Sequence, residues 1–253
     1  EDLYLPYKIK KKTKATVAKE AGLEPLADWI LAKGQGKMGA EFAATLEAHA
    51  ATFISAEKKV VDVAQATAGA QDIIIEKISE VLELRDFVRA EVKNSGIVQS
   101  KKSEKAKVPS KFENYFDFKE DVLSLMQPKN SHRYLALRRC WVEEEISLLF
   151  TGKPDPENYE RRLLNKFEAF AGPKASSDVK PLLEKCAKLS LKAVVLPSIE
   201  NEIHKHLKEI ADHAAISVFS ENVKNLLLSA PFGSKSVLGV DPGIRTGCKV
   251  VIV

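Results

Sequence analysis

Cysteine is scarce in these 253 residues. Cys140, Cys186 and Cys248 are far apart and form no Cys-x-x-Cys pair. An odd, scattered set argues against a disulfide framework and a thiolate zinc site, and predicts reduced packing thiols in a cytoplasmic protein. Histidine is also sparse, at five residues, and His204 and His206 are two apart, so they do not share a helix face and no metal site is expected from them. No apolar run approaches the roughly 20 residues needed to cross a bilayer, so no membrane partner is expected. The chain opens on Glu1-Asp2 with neither a signal-peptide core nor an initiator methionine, which reads as a soluble internal fragment. A strong excess of one charge is missing too. Lys plus Arg is 39 against 35 for Asp plus Glu, and a net charge of +4 permits nucleic-acid partners without demanding them. The phosphate-cradling Gly-x-x-x-x-Gly-Lys-Ser/Thr loop and the Gly-x-Ser-x-Gly elbow are both absent. Gly34-Gln-Gly-Lys-Met-Gly39 matches the dinucleotide string Gly-x-Gly-x-x-Gly, but it follows a helical pattern rather than a strand and reads as an inter-helix turn.

What is present is helical periodicity. The sequence predicts a mainly α fold, an irregular multi-helix scaffold with a long spine helix, in three parts: residues 1–96, 97–232 and 233–253. Thr16 is placed to cap a short helix that Gly22 ends, and Pro25 begins a segment running to Lys33. Ala40 to Phe53 reads as a helix, Ser55 as the cap of Ala56 to Ala68, and Ala70 to Lys93 as a further helix before Asn94-Ser95-Gly96. The lysine-rich stretch from Lys101 to Lys111 reads as an exposed connection. Phe112, Tyr115, Phe116 and Phe118 form an aromatic cluster, Ser131 is placed to cap a helix over His132 to Arg139, and Ile146 to Phe150 reads as a short strand. Helices are then expected over Pro156 to Phe170, from an Asp178 cap to Val195, and over Pro197 to Ser229. In the last, Ile199, Ile203, Leu207, Ile210, Ala214 and Val218 recur every three or four residues. That spine is about 50 Å long at 1.5 Å per residue.

The final stretch, Val237 to Val253, reads as two short strands around a turn at Asp241-Pro242-Gly243, and a lone hairpin requires a larger sheet to be stable. Val237-Leu-Gly-Val-Asp-Pro-Gly-Ile-Arg-Thr-Gly-Cys-Lys249 resembles the opening of the RNase H-like domain in the Tex family of bacterial transcription accessory proteins. Three further blocks carry the same resemblance in order. Asp2 to Lys8 with Lys14 to Asp28 is similar to an early stretch, although Ile9 stands where the family often has Pro. Tyr115-Phe-Asp-Phe118 with Ser131 to Arg139 is similar to its middle, and Leu196 to Ile203 through Asn222 to Pro231 to the lead into the RNase H-like domain. The resemblance implies a helical framework of an RNA-binding factor acting in transcription, with RNA or DNA and the transcription machinery as partners. The family's helix-hairpin-helix elements and C-terminal OB-fold have no counterpart in this sequence.

Three sets of residues are candidates for function. Lys8, Lys10, Lys11, Lys12 and Lys14 beside Tyr4 and Tyr7 have the composition to neutralise phosphates and stack a base, or else form a solvated loop. Arg133, Arg138 and Arg139 are further phosphate candidates, with pairing to Glu143 through Glu145 as their structural alternative. Asp241 corresponds in the resemblance to a first-strand acid that helps bind divalent metal, a group required only if the RNase H-like domain is active. One carboxylate does not make a two-metal site, and its alternative role is to organise the turn before Pro242. No catalytic residue and no other cofactor is expected, so the chain is read as a framework rather than an autonomous enzyme; the alternatives are a metal-dependent nuclease whose first acid is Asp241, and a protein-docking scaffold.

Overall fold

A computed structural model describes residues 12–253 except 38, 40, 41, 56, 59, 232 and 244–246. These residues form two compact units, 1–212 and 213–253. The fold is mainly helical, with small antiparallel sheets.

In the first unit, α1 (Lys14–Glu20) and α2 (Glu24–Gly34) meet at Gly22, whose φ of +76° suits glycine. Thr13, not Thr16, caps α1: its hydroxyl accepts the Thr16 N–H at 3.1 Å. The helix expected over Ala40 to Phe53 is confined to α3 (Leu46–Ala51), capped by Thr45. Ser55 caps nothing. It pairs with Val60 in an isolated bridge, and α4 (Val63–Ser79) starts at an Asp62 cap that accepts the Gln65 N–H at 2.7 Å. The expected break near Ala68 is absent because Gly69 lies within α4, where an added Cβ would come 2.4 Å from Leu23 Cδ1. That glycine marks close helix packing rather than a stop. Ala66, Ala70, Ile73, Ile74 and Ile78 make the buried face of α4, and the real break falls at Glu80-Val81, before α5 (Leu82–Ser95).

Gly96 ends α5 and begins a strand in the same step, because an added Cβ would stand 2.1 Å from the Val92 carbonyl oxygen. Strand β1 (Gly96–Lys102) lies between β2 (Lys119–Asp121) and β3 (Ile146–Gly152), in the order β2-β1-β3 with both pairings antiparallel. Only β3 is legible in the sequence. β1 overlaps the expected exposed connection at Lys101 and Lys102, and one of its inward positions is polar. Ser100 is fully buried, and its hydroxyl donates to the Tyr115 carbonyl at 2.5 Å and accepts the Phe118 N–H at 2.9 Å. The short α6 (Val122–Leu125) leads through a 3-10 turn to α7 (Ser131–Val142). Asn130, without a side-chain bond to the helix, stands at the cap position expected of Ser131. Phe112, Leu137, Cys140 and Ile146 form a small core beneath the partly buried Tyr115, Phe116 and Phe118, so the aromatic cluster packs the sheet onto α7.

α8 (Pro156–Ala171) begins at an Asp155 cap as its pattern requires. The segments expected on either side of Pro197 form one unbroken helical run: α9 (Lys180–Leu189), a π-helical stretch Ser190–Val195, and α10 (Leu196–Leu227). Proline has no N–H and its ring clashes with the carbonyl four residues back. The wider i to i−5 turns just before Pro197, such as Leu196 N–H to Leu191 O, leave room for the ring. Ser190 holds this stretch from inside, donating to Cys186 O at 2.8 Å and Ile75 O at 3.1 Å. Leu183, Leu191, Val195, Ile199, Ile203, Leu207 and Ala211 are buried along the run, and the main core extends from Ala15 to Ala211.

In the second unit, Val218, which the apolar spacing is expected to bury, is exposed, as are Ile216, Phe219 and Leu226. β4 (Leu238–Gly243) pairs antiparallel with β5 (Gly247–Ile252). Asp241 is opposite Lys249 and Pro242 opposite Cys248, so these residues are in the ladder and not at the bend where the sequence suggested. Cys140 and Cys186 are buried, and burial raises their thiols to about 11 and about 12; Cys248 is exposed and packs in no core.

Asp178 does not cap its own helix, which starts behind Val179. Its carboxylate accepts from Lys33 Nζ at 2.7 Å, from the Leu46 N–H at 3.1 Å and from the Ser176 hydroxyl at 2.6 Å. The acid expected to cap its own helix instead accepts the first N–H of α3, beside the Thr45 cap, and ties α2 to the α8–α9 connection. Burial raises this carboxyl, but the Lys33, Ser176 and Leu46 donors outweigh it and hold the pKa at about 2. Asp178→Ala is expected to lower unfolding stability by about 1–3 kcal/mol, read by urea denaturation at pH 7. The difference should shrink as pH falls from about 4 towards 2, where the native carboxylate is protonated.

Candidate nucleic-acid interface

The basic candidates fall into separate groups. Lys8, Lys10 and Lys11 lie outside the described residues. Lys12 and Lys14 are exposed at the start of α1, and Lys12 Nζ is 3.1 Å from Glu20 in a solvent-facing ion pair of the kind worth at most about 1 kcal/mol. With Lys58, they line an open groove of ≈ 630 Å³ whose apolar wall includes Val17, Leu23 and Val60. Glu20, Glu57 and Asp72 line it as well, so the groove carries both signs of charge.

Helix α7 is different. Its twelve residues, Ser-His-Arg-Tyr-Leu-Ala-Leu-Arg-Arg-Cys-Trp-Val, contain three arginines and no acid. Arg133 Nη1 donates to Glu120 at 3.0 Å, and Arg139 Nε to Glu143 at 3.2 Å. Glu143 also accepts from Lys111 at 3.0 Å, so Arg139 shares its acid with a second cation. Lys105 pairs with Glu144 at 2.7 Å. These bridges match the structural alternative for Arg139 without removing its charge from the surface, because exposed pairs exchange partners at low cost. Arg138 lies 5.3 Å over the indole of Trp141, one helical turn on.

The inner side of α7 is a buried aromatic set. Tyr134 is fully buried, and its hydroxyl lies 2.8 Å from His204 Nδ1 and 3.0 Å from the His204 carbonyl. A phenol has one proton. With that proton on the carbonyl oxygen, Nδ1 must be the N–H that donates to the phenol oxygen. Burial, aided by the Arg138 charge, lowers the His204 pKa to about 4, so the ring is neutral at pH 7. Trp141 and Phe150 pack on the same imidazole, with centroids 5.3 and 4.8 Å away.

His206 is exposed, 4.0 Å from Glu209. Asp241 is exposed in the hairpin, 3.8 Å from Lys249 Nζ. No group of three or more metal-ligating side chains occurs among the described residues.

The Tex central region-like family model matches residues 42–219, more than half of the sequence. This chain belongs to the Tex family. Protein tex of Bordetella pertussis is 36% identical over 100% of the chain and 32% of its own length. Transcriptional accessory protein Tex of Neisseria gonorrhoeae is 35% identical over 100% of the chain and 32% of its own. S1 RNA-binding domain-containing protein 1 of Homo sapiens is 26% identical over 100% of the chain and 25% of its own. The chain spans about a third of the length of the first two of these curated relatives.

Within this Tex-family chain, sequence reading misses Trp141, because the expected helix ends at Arg139 and so does not set Arg138 and Trp141 on one face. It also misses a polar pair where α8 meets α10. The Tyr159 hydroxyl is buried without a hydrogen-bond partner among the described residues, its ring lying against Gly152, where an added Cβ would be 2.1 Å from Tyr159 Cδ2. The nearby Glu200 carboxyl is pushed by burial up to about 7. Burial and the charges of Glu200 and Glu91 raise the Tyr159 phenol, against a smaller opposing effect of Arg162.

Because the folded Glu200 carboxyl titrates above its ordinary value of about 4.3, its contribution to stability is fullest below that pH and is lost as pH rises through about 7. Glu200→Gln removes this titration. The melting temperature of the variant relative to the parent should therefore rise between pH 5 and pH 8; a constant difference across that range would show that Glu200 ionises no differently in the two states.

Proposed function

We propose that this chain is the helical framework of a Tex-type transcription accessory factor in the cytoplasm, and that the framework itself contacts nucleic acid through the basic surface of α7. The observation that carries this reading is the charge pattern of α7, where Arg133, Arg138 and Arg139 occur without an acid on the helix, and Arg133 and Arg139 are held by carboxylates that phosphates can replace. The names of the relatives, one a transcriptional accessory protein and another an S1 RNA-binding domain-containing protein, support a role of that kind. The chain acts by binding, not by catalysis. Asp241 offers a single exposed carboxylate opposite a lysine, which suits a surface ladder pair.

The hairpin supports the reading that β4 and β5 open a larger, RNase H-like sheet. Leu238, Val240 and Pro242 pair with Ile252, Val250 and Cys248, which places six apolar side chains on one face, and Leu238, Val240, Val250 and Ile252 are exposed. An uncovered apolar face on a two-stranded ribbon calls for a covering layer.

The test is fluorescence-anisotropy titration of the chain with a single-stranded RNA across 50–300 mM salt. Binding should weaken linearly in log–log form. The double variant Arg133→Ala, Arg139→Ala should bind less tightly and lower the slope by about 0.7 for each phosphate that is no longer neutralised. Salt-dependent binding that is identical in the variant would move the nucleic-acid surface off α7, and no binding at 50 mM salt would remove nucleic-acid contact from the framework.

A further inference from the structure

Beyond phosphate contact, α7 carries a feature that charge alone does not explain. Trp141 is 38% exposed at the end of the helix, next to Val142, which is 71% exposed. The indole is fixed from within. It packs on His204, whose own position is set by the Tyr134 hydroxyl and by the edge of Phe150. On the ring lies a guanidinium, that of Arg138. Arg139, two positions before Trp141, has a 70% exposed side chain and shares its acid with Lys111.

An indole whose rotamer is already locked by a buried layer loses little freedom when a flat group stacks on it. Guanidinium and nucleobase are alternative partners for such a face, since both are planar: the cation is attracted by the ring's π density and the base stacks on it face to face. The neighbouring cations decide what the flat group is attached to, because an arginine displaced from the ring is well placed for the phosphate beside the incoming base.

We propose that Trp141 is a stacking platform for one base of single-stranded nucleic acid, with the Arg138 guanidinium moving from the indole to an adjacent phosphate and Arg139 taking another. The assignment rests on the nucleic-acid reading of α7 given above and adds to it the form of the ligand: a single strand, since an intact duplex keeps its base faces covered. It predicts little preference among bases, because every base has a stacking face.

The chain contains two tryptophans, Trp29 and Trp141. Labelled with 5-fluorotryptophan, it should give two fluorine resonances, and the one lost in Trp141→Phe belongs to Trp141. Adding a twelve-nucleotide oligouridylate should shift or broaden that resonance and leave Trp29 unmoved. A twelve-unit abasic strand, which keeps the phosphates and lacks the bases, and a twelve-base-pair duplex should both move the Trp141 resonance less than oligouridylate does. Trp141→Leu should weaken oligouridylate binding at least fivefold by anisotropy, while Trp141→Phe stays within about twofold because it keeps an aromatic face. Matching circular dichroism and melting curves for the two variants establish that both are folded. The abasic strand moving Trp141 as far as oligouridylate does, or equal affinity for Trp141→Leu, would overturn stacking while leaving phosphate binding by α7 intact. Absence of oligouridylate binding by the parent chain would overturn both.

Discussion

The buried stripe of the continuous helical run from Lys180 to Leu227 is the constraint on which the first unit depends. Its core residues from Leu191 to Ala211 are spaced by four. Four residues of α-helix exceed one turn by about 40°, so a stripe of this spacing winds around the helix and faces different neighbours along its length. The π-helical stretch beside α4 both accommodates Pro197 and, being wider per turn, takes up part of that drift. Further along, the same run carries His204 under the Tyr134 hydroxyl of α7, so the basic helix is fixed in place by the spine.

Polar groups inside this core act as connectors. Ser100 joins β1 to the Tyr115–Phe118 turn, Ser190 joins the spine to α4, and Asp178 joins α2, α3 and the start of α9. Ser100 and Asp178 satisfy backbone groups that would otherwise be stranded, and each of the three fixes one register or one packing angle where apolar contacts alone tolerate several. Tyr159 differs from them. Its unpaired hydroxyl beside a desolvated Glu200 is a place where packing prevailed over polar satisfaction.

On α7 the two sides of a single helix have separate tasks. Tyr134, Leu137 and Cys140 are buried, while Arg133, Arg139 and Trp141 face solvent. A charged face on a helix with a firmly packed underside presents its groups at fixed spacing.

Helical periodicity, glycine and proline punctuation and the ordered family-like blocks were enough to establish a mainly helical Tex-type chain with a long spine, because those signals act within a few residues of one another. What depended on distant neighbours was not legible. β1 was hidden by a serine whose burial makes sense only beside Phe118, Gly69 read as a break until Leu23 was packed against it, and Asp178 read as a local cap although it accepts the first N–H of a helix 132 residues away in sequence. At the candidate interface, the sequence determined the charges of Arg133, Arg138 and Arg139. Only the tertiary structure decided that a tryptophan stands among them with its inner side set on a buried histidine, because ring packing and burial are properties of the assembled core.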